Sequence, residues 1–164
     1  MGQLDMNDEM REELMDMRKA LDGMLSPDYR PVVQKLEEVV KTVSPKASYE
    51  GSPQKCIKGL ERRQQAYKGL ATKGKTWLEV LEKDPTNEEA LKALERIASS
   101  DLDDMGNTIE GYSFTTGLMK ELAKETFETH LQFSQHQATL FELLEGYRAE
   151  MTPLEDDYDY SGSQ

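Results

Sequence analysis

Residues 118–148 read LMKELAKETFETHLQFSQHQATLFELLEGYR and decide the fold class. Apolar side chains recur there at three- and four-residue steps, which is the period of an amphipathic α-helix. The predicted stripe comprises Met119, Ala123, Phe127, Leu131, Ala138, Phe141 and Leu144. One face of a long helix therefore needs a cover, and the rest of the chain must supply it.

The same spacing extends in both directions from this stretch. Upstream it continues from Leu102, and the poor helix formers of residues 111–117 leave a break there as an alternative. Downstream, Thr152-Pro153 is predicted to end the helix. Residues 154–164 hold four acids and no base. We therefore expect an acidic, flexible tail over residues 152–164.

The first 100 residues contain further helical patterns. Helices are predicted near residues 5–25, 32–43 and 53–83 and from Thr86 onward. Thr86 and Glu89 form a capping box that opens the last of these. Gly74 lies on the apolar stripe of the third helix, where the missing side chain would permit close approach of another helix. A break near residues 72–74 stays open as an alternative, because glycine is a poor helix former. The glycine- and proline-containing loop 45–53 is a candidate hinge.

These patterns together predict an all-α fold, a bundle of about five amphipathic helices over residues 1–151. Its C-terminal helix is long and is followed by the acidic tail. Of the residues, 37% are apolar and 32% are charged. That composition is typical of a thin helical bundle, in which each helix buries one stripe and exposes the rest.

The first predicted helix is rich in methionine, with a stripe that includes Met10, Leu14, Met17 and Leu21. Methionine is flexible and suits both irregular cores and adaptable binding surfaces. The stripe therefore has two interpretations, a face packed within the bundle and a face that docks a protein partner. These four residues are the predicted partner-binding set.

The net charge of −12 is unevenly distributed. Residues 55–75 carry seven bases and one acid. Their candidate polyanion-binding side chains are Lys55, Lys58, Arg62, Arg63 and Lys68. The acidic whole chain disfavours nucleic acid as a partner. A basic helix packed between acidic neighbours is the favoured interpretation of this stretch.

No catalytic constellation emerges from the sequence, so the chain is not predicted to be an enzyme. Residues 69–76 match the phosphate-binding pattern GxxxxGKT, but no β-strand precedes them. His130 and His136 each have phenylalanine, not glutamate, three residues earlier, so the di-metal motif of helix bundles is missing. Cys56 is interpreted as a packed cysteine. No metal site, cofactor or small-molecule substrate is predicted.

Residues 77–94, WLEVLEKDPTNEEALKAL, resemble the junction between two tetratricopeptide repeats. Asp84-Pro85 stands where one repeat closes, and an alanine- and leucine-rich helix follows. Lys73 and Glu61 occupy positions where that family has small residues, and no second 34-residue period follows. The resemblance implies a shared way of joining two helices.

The polar stretch 132–137, QFSQHQ, interrupts the apolar pattern of the long helix. It is interpreted either as a solvated face or as a buried polar layer that fixes helix register. No stretch is apolar enough for a membrane span, and no signal peptide is evident. The expected location is the cytoplasm or an intracellular assembly.

The sequence favours a non-catalytic structural or adaptor subunit that acts by helix packing, in a setting such as a viral or phage particle or a secretion apparatus. Its partner is a protein or a second copy of the chain. Two alternatives are a small acidic chaperone for an assembly or secretion client, and nucleic-acid-backbone binding through residues 55–75.

Overall fold

The computed structural model describes residues 8–42, 53–101 and 117–163, with side chains described up to Met151 in the last range. The helices are α1 (Asp8–Leu25), α2 (Arg30–Thr42), α3 (Pro53–Lys83), α4 (Glu88–Ala98) and α5 (Gly117–Ser163). No strand occurs within these ranges, and the all-α prediction is confirmed. No helix among these residues is long and apolar enough to cross a membrane.

The observed helices differ from the predicted ones in three places. α3 is continuous, so the alternative break near residues 72–74 is wrong. The N-cap of α4 is Asn87 and not Thr86, because the Asn87 side chain accepts from the Ala90 amide at 2.8 Å. α5 continues past Thr152-Pro153. A proline removes only one backbone donor and is an obstacle to a helix, not an absolute stop.

Two predicted boundaries fall outside the described residues. Most of the candidate hinge 45–53 does so, and α3 begins at its last residue, Pro53. Most of the candidate break 111–117 does so as well. α5 begins at Gly117, whose φ of +82° is a conformation that glycine adopts without strain.

The chain divides into two compact units. Unit 1 comprises the described residues of Met1–Gly23, Leu70–Ser100 and Gln135–Gln164, and unit 2 those of Met24–Gly69 and Asp101–Ser134. α3 and α5 each contribute one part to each unit, so neither unit is a continuous segment.

Unit 1 contains the methionine-rich stripe of α1. The predicted partner-binding side chains are core: Met10, Met17 and Leu21 are 0% exposed and Leu14 is 3% exposed. α1 approaches α3 closely at Gly74, because a Cβ atom there would collide with Leu21. The chain's own helices thus cover this stripe, and the packed interpretation of it is the correct one.

Polar side chains of α5 hold both ends of α4 in unit 1. Gln137 Nε2 donates to the carbonyl oxygens of Ile97 at 3.0 Å and Ser100 at 2.8 Å. It thereby satisfies carbonyl groups at the C-terminus of α4, which have no partner within the helix. The Tyr147 hydroxyl donates to the Pro85 carbonyl oxygen at 2.6 Å.

α5 buries a different row of side chains from the predicted one. In unit 2 the buried residues of α5 are Leu122, Thr126 and Phe133, and in unit 1 they are Leu140, Leu144, Tyr147 and Met151. Of the predicted stripe, which continues to Met151, Leu144 and Met151 are buried and Met119 and Ala123 are half-buried. Phe127, Leu131, Ala138 and Phe141 are exposed. The predicted row and the buried row both have helical spacing. The buried row is the one that contains a polar residue, Thr126.

Candidate functional site

The core of unit 2 contains a chain of polar side chains from α3, the α1–α2 connection and α5. The buried Arg63 donates from Nη1 to the Tyr29 hydroxyl oxygen at 3.3 Å. The hydroxyls of Tyr29 and Tyr67 lie 3.0 Å apart. Tyr67 in turn lies 2.7 Å from Nδ1 of His130, whose Nε2 lies 3.4 Å from the Ser134 hydroxyl.

The hydrogen bonds of this chain can all be donated in the same direction, from Tyr29 towards Ser134. With the proton of His130 on Nε2, Tyr29 donates to Tyr67, Tyr67 donates to Nδ1, and Nε2 donates to Ser134. The chain then links α3 to α5 through hydrogen bonds that each have a donor and an acceptor. Hydrogen bonds between buried side chains of different helices favour one arrangement of those helices.

Aromatic packing holds the same side chains in place. The rings of Tyr67 and Phe133 stack with centroids 3.8 Å apart and an interplanar angle of 6°. The guanidinium of Arg63 lies 5.9 Å from the centre of the Tyr29 ring. Tyr67 is 0% exposed and Tyr29 is 1% exposed, so both side chains belong to the core of unit 2. The network therefore contributes to the packing of that core.

The connection before α2 is fixed by Gln64 of α3. Gln64 Oε1 accepts from the Tyr29 amide at 2.8 Å, and Gln64 Nε2 donates to the Pro27 carbonyl oxygen at 2.9 Å. One side-chain amide therefore satisfies a backbone donor and a backbone acceptor of the same turn. This contact places Tyr29 where its hydroxyl meets Tyr67.

The opposite side of α5 in unit 2 carries exposed apolar residues. Phe127 is 50% exposed and Leu131 is 38% exposed. They are four residues apart, so their side chains are neighbours on the helix surface. Phe127 lies about 120° and Leu131 about 160° around the helix from the buried row, which already packs within unit 2. α5 thus has a second apolar face that no described part of its own unit buries.

The basic stretch of α3 is divided between the surface and the core. Lys55, Lys58, Arg62 and Lys68 are exposed. Arg63 is 2% exposed, so its inclusion in the polyanion-binding set is wrong. It lies three residues after Leu60 and four before Tyr67, and it therefore shares their buried face. Lys75 forms an ion pair with Asp22 at 2.7 Å.

Two features of the sequence that were considered for chemistry, the phosphate-loop match and Cys56, both lie in α3. Residues 69–76, the phosphate-loop match, are part of continuous α3. Cys56 is buried, and burial raises the pKa of its thiol to about 11. Among the described residues, no group of three or more His, Cys, Asp or Glu side chains could hold a metal ion.

The polar stretch 132–137 is partly a solvated face and partly packed against other helices. Gln132 and Gln135 are exposed, whereas Gln137 bonds to the end of α4 and His136 packs against Gly23 in unit 1. Sequence reasoning missed the network of Tyr29, Tyr67 and His130. The only local signal for it is the helical spacing of four between His130 and Ser134.

The chain matches no protein-family model, and no curated protein or solved structure is significantly similar to it.

Proposed function

We propose that the chain is a non-catalytic structural or adaptor subunit that joins a larger assembly by helix packing through the outer face of α5. The observation that carries this proposal is the adjacent exposed pair Phe127 and Leu131. Single exposed apolar residues are common on protein surfaces, but large aromatic and aliphatic neighbours concentrate at interaction sites. Such a pair matches the spacing by which an amphipathic helix contacts another helix.

The core of unit 2 supports the same proposal. α5 is held there by the Tyr67 stack on Phe133 and by the hydrogen bond to His130, so the exposed pair is presented on a rigid element. A rigid surface loses little conformational entropy when it binds. The partner contributes a helix whose apolar face covers Phe127 and Leu131.

Measuring the native size of the complex in an extract of the source tests this function. We expect the wild-type chain to migrate well above its monomer mass of 18.7 kDa. The double variant Phe127→Ser/Leu131→Ser should migrate as a monomer and keep its helical circular dichroism. Met15→Ser is the matched control, because Met15 is 60% exposed on α1. A wild-type chain of monomer size, or equal loss in the control, contradicts the proposal.

A further inference from the structure

A groove of ≈ 650 Å³ separates α4 from α5 in unit 1. Leu144 lines it and is 1% exposed, whereas Phe141 lines it with 41% of its surface exposed. Ala149 continues the α5 wall. A groove between two helices with an aromatic residue at its edge has the shape that receives the apolar face of a third helix.

The inner charge of the groove is already compensated. Arg148 donates from Nε to Glu95 Oε2 at 2.7 Å and from Nη2 to Glu95 Oε1 at 2.8 Å. Its Nη2 also lies 2.8 Å from Glu88 Oε1. These hydrogen bonds to Glu95 and Glu88 raise the pKa of Arg148. The bidentate contact fixes the distance between α4 and α5 and hence the width of the groove.

The rim of the groove has an excess of positive charge. Lys92 and Arg96 are exposed, lie one turn apart on α4 and line the groove. Neither forms an ion pair with any of the described residues. The α5 wall offers one exposed acid, Glu145. Two adjacent uncompensated cations are unexpected in a chain with a net charge of −12 and favour an anionic ligand.

We propose that this groove docks an acidic amphipathic helix of a protein partner. The apolar face of that helix packs on Phe141 at the edge of the groove, and its carboxylates lie along α4 beside Lys92 and Arg96. A basic helix is disfavoured, because Lys92 and Arg96 repel it. The groove belongs to unit 1 and the pair Phe127 and Leu131 belongs to unit 2. This proposal and the proposed function can therefore fail independently.

The test uses the full chain and two designed helical peptides of about 20 residues, a common length for helix-in-groove ligands. Both peptides share one leucine stripe, and their flanking positions carry glutamate in one and lysine in the other. Fluorescence anisotropy should detect binding of the acidic peptide only. Lys92→Glu/Arg96→Glu should weaken acidic-peptide binding at least about tenfold and allow the basic peptide to bind.

A matched variant separates the local rim charge from the total charge. Lys58→Glu/Arg62→Glu makes the same charge change at two exposed cations one turn apart on α3, in unit 2. It should leave acidic-peptide binding unchanged. Phe141→Ser should weaken binding of the acidic peptide, with circular dichroism confirming that the variant folds.

Three results would overturn the proposal. The first is equal affinity for the two peptides, and the second is an equal effect of the α3 and α4 charge reversals. The third is self-association of the wild-type chain, measured by sedimentation, that Phe141→Ser abolishes. In that case the groove receives a second copy of the chain and not an acidic partner.

Discussion

The Tyr67 hydroxyl lies 2.7 Å from Nδ1 of His130 and 3.0 Å from the Tyr29 hydroxyl, at a position that is 0% exposed. One phenol oxygen therefore connects α3 to α5 and to the residue before α2. The same ring stacks on Phe133, so apolar packing and hydrogen bonding act on one side chain.

Replacing Tyr67 by phenylalanine separates these two contributions. The ring stack on Phe133 remains, but Tyr29 and His130 each lose a buried hydrogen-bond partner. We expect Tyr67→Phe to lower the free energy of unfolding by about 1–3 kcal/mol, the cost of leaving buried polar groups unsatisfied. Urea denaturation measures this change. An unchanged free energy of unfolding would contradict the role assigned to the hydroxyl.

Two glycines of α3 should respond to alanine with opposite signs. At Gly74 a Cβ atom would collide with Leu21, so Gly74→Ala should destabilise the fold by about 1–3 kcal/mol. At Gly69 no atom lies within 4 Å of the added Cβ atom. Gly69→Ala should therefore stabilise by about 0.5–1 kcal/mol, because alanine favours the helix. Thermal unfolding compares the two, and shifts of equal sign would refute the close approach of α1 and α3.

The start of α4 gives a third test. Asn87→Ala removes the side chain that accepts from the Ala90 amide and should cost about 1 kcal/mol. Thr86→Ala should cost clearly less, although the sequence pattern names Thr86 as the cap. Chemical denaturation of the two variants decides between them. A larger loss of unfolding free energy in Thr86→Ala than in Asn87→Ala would favour the capping box predicted from the sequence.

The sequence predicts the fold class well but not which face of a helix is covered. On α5, two apolar rows have the same spacing, and the choice between Phe127 and Phe133 depends on which one meets Tyr67. The distance from Tyr67 to these residues along the chain is long, and no local pattern encodes that contact. The division between Arg62 and Arg63 has the same origin, because adjacent cations fall on different helix faces.

Some predictions succeed because their causes are local. Gly74 lies on the apolar stripe of α3, and the missing side chain indicates close helix approach without reference to the partner helix. The N-cap of α4, by contrast, lies one residue later than predicted. Thr86 and Asn87 are both good capping residues, and only the backbone of the turn after Asp84 decides which one accepts from the helix.

Glu13 of α1 is held in a setting that favours its neutral form. A Cβ atom at Gly146 of α5 would lie 2.6 Å from Glu13 Oε2, so the carboxyl group lies close to the α5 backbone. Its Oε1 atom is buried and has no hydrogen-bond partner among the described residues. Burial, and then the charges of Glu150, Glu9 and Asp16, raise the pKa of Glu13 from 4.5 to about 7.

This shift makes unit 1 less stable as the pH rises. Below pH 4.5 the carboxyl group is protonated in both the folded and the unfolded chain. Between pH 4.5 and 7 the unfolded chain releases the proton and the folded chain retains it, so the free energy of unfolding falls across this window. Glu13→Gln keeps the shape without the charge. We expect it to match the wild type at pH 4 and to exceed it by about 1–3 kcal/mol at pH 8, after allowance for partial solvent exposure. Urea denaturation from pH 4 to 8 measures the difference, with the exposed Glu12→Gln as control. A difference that does not grow with pH would show that burial of this carboxyl group does not set the pH dependence.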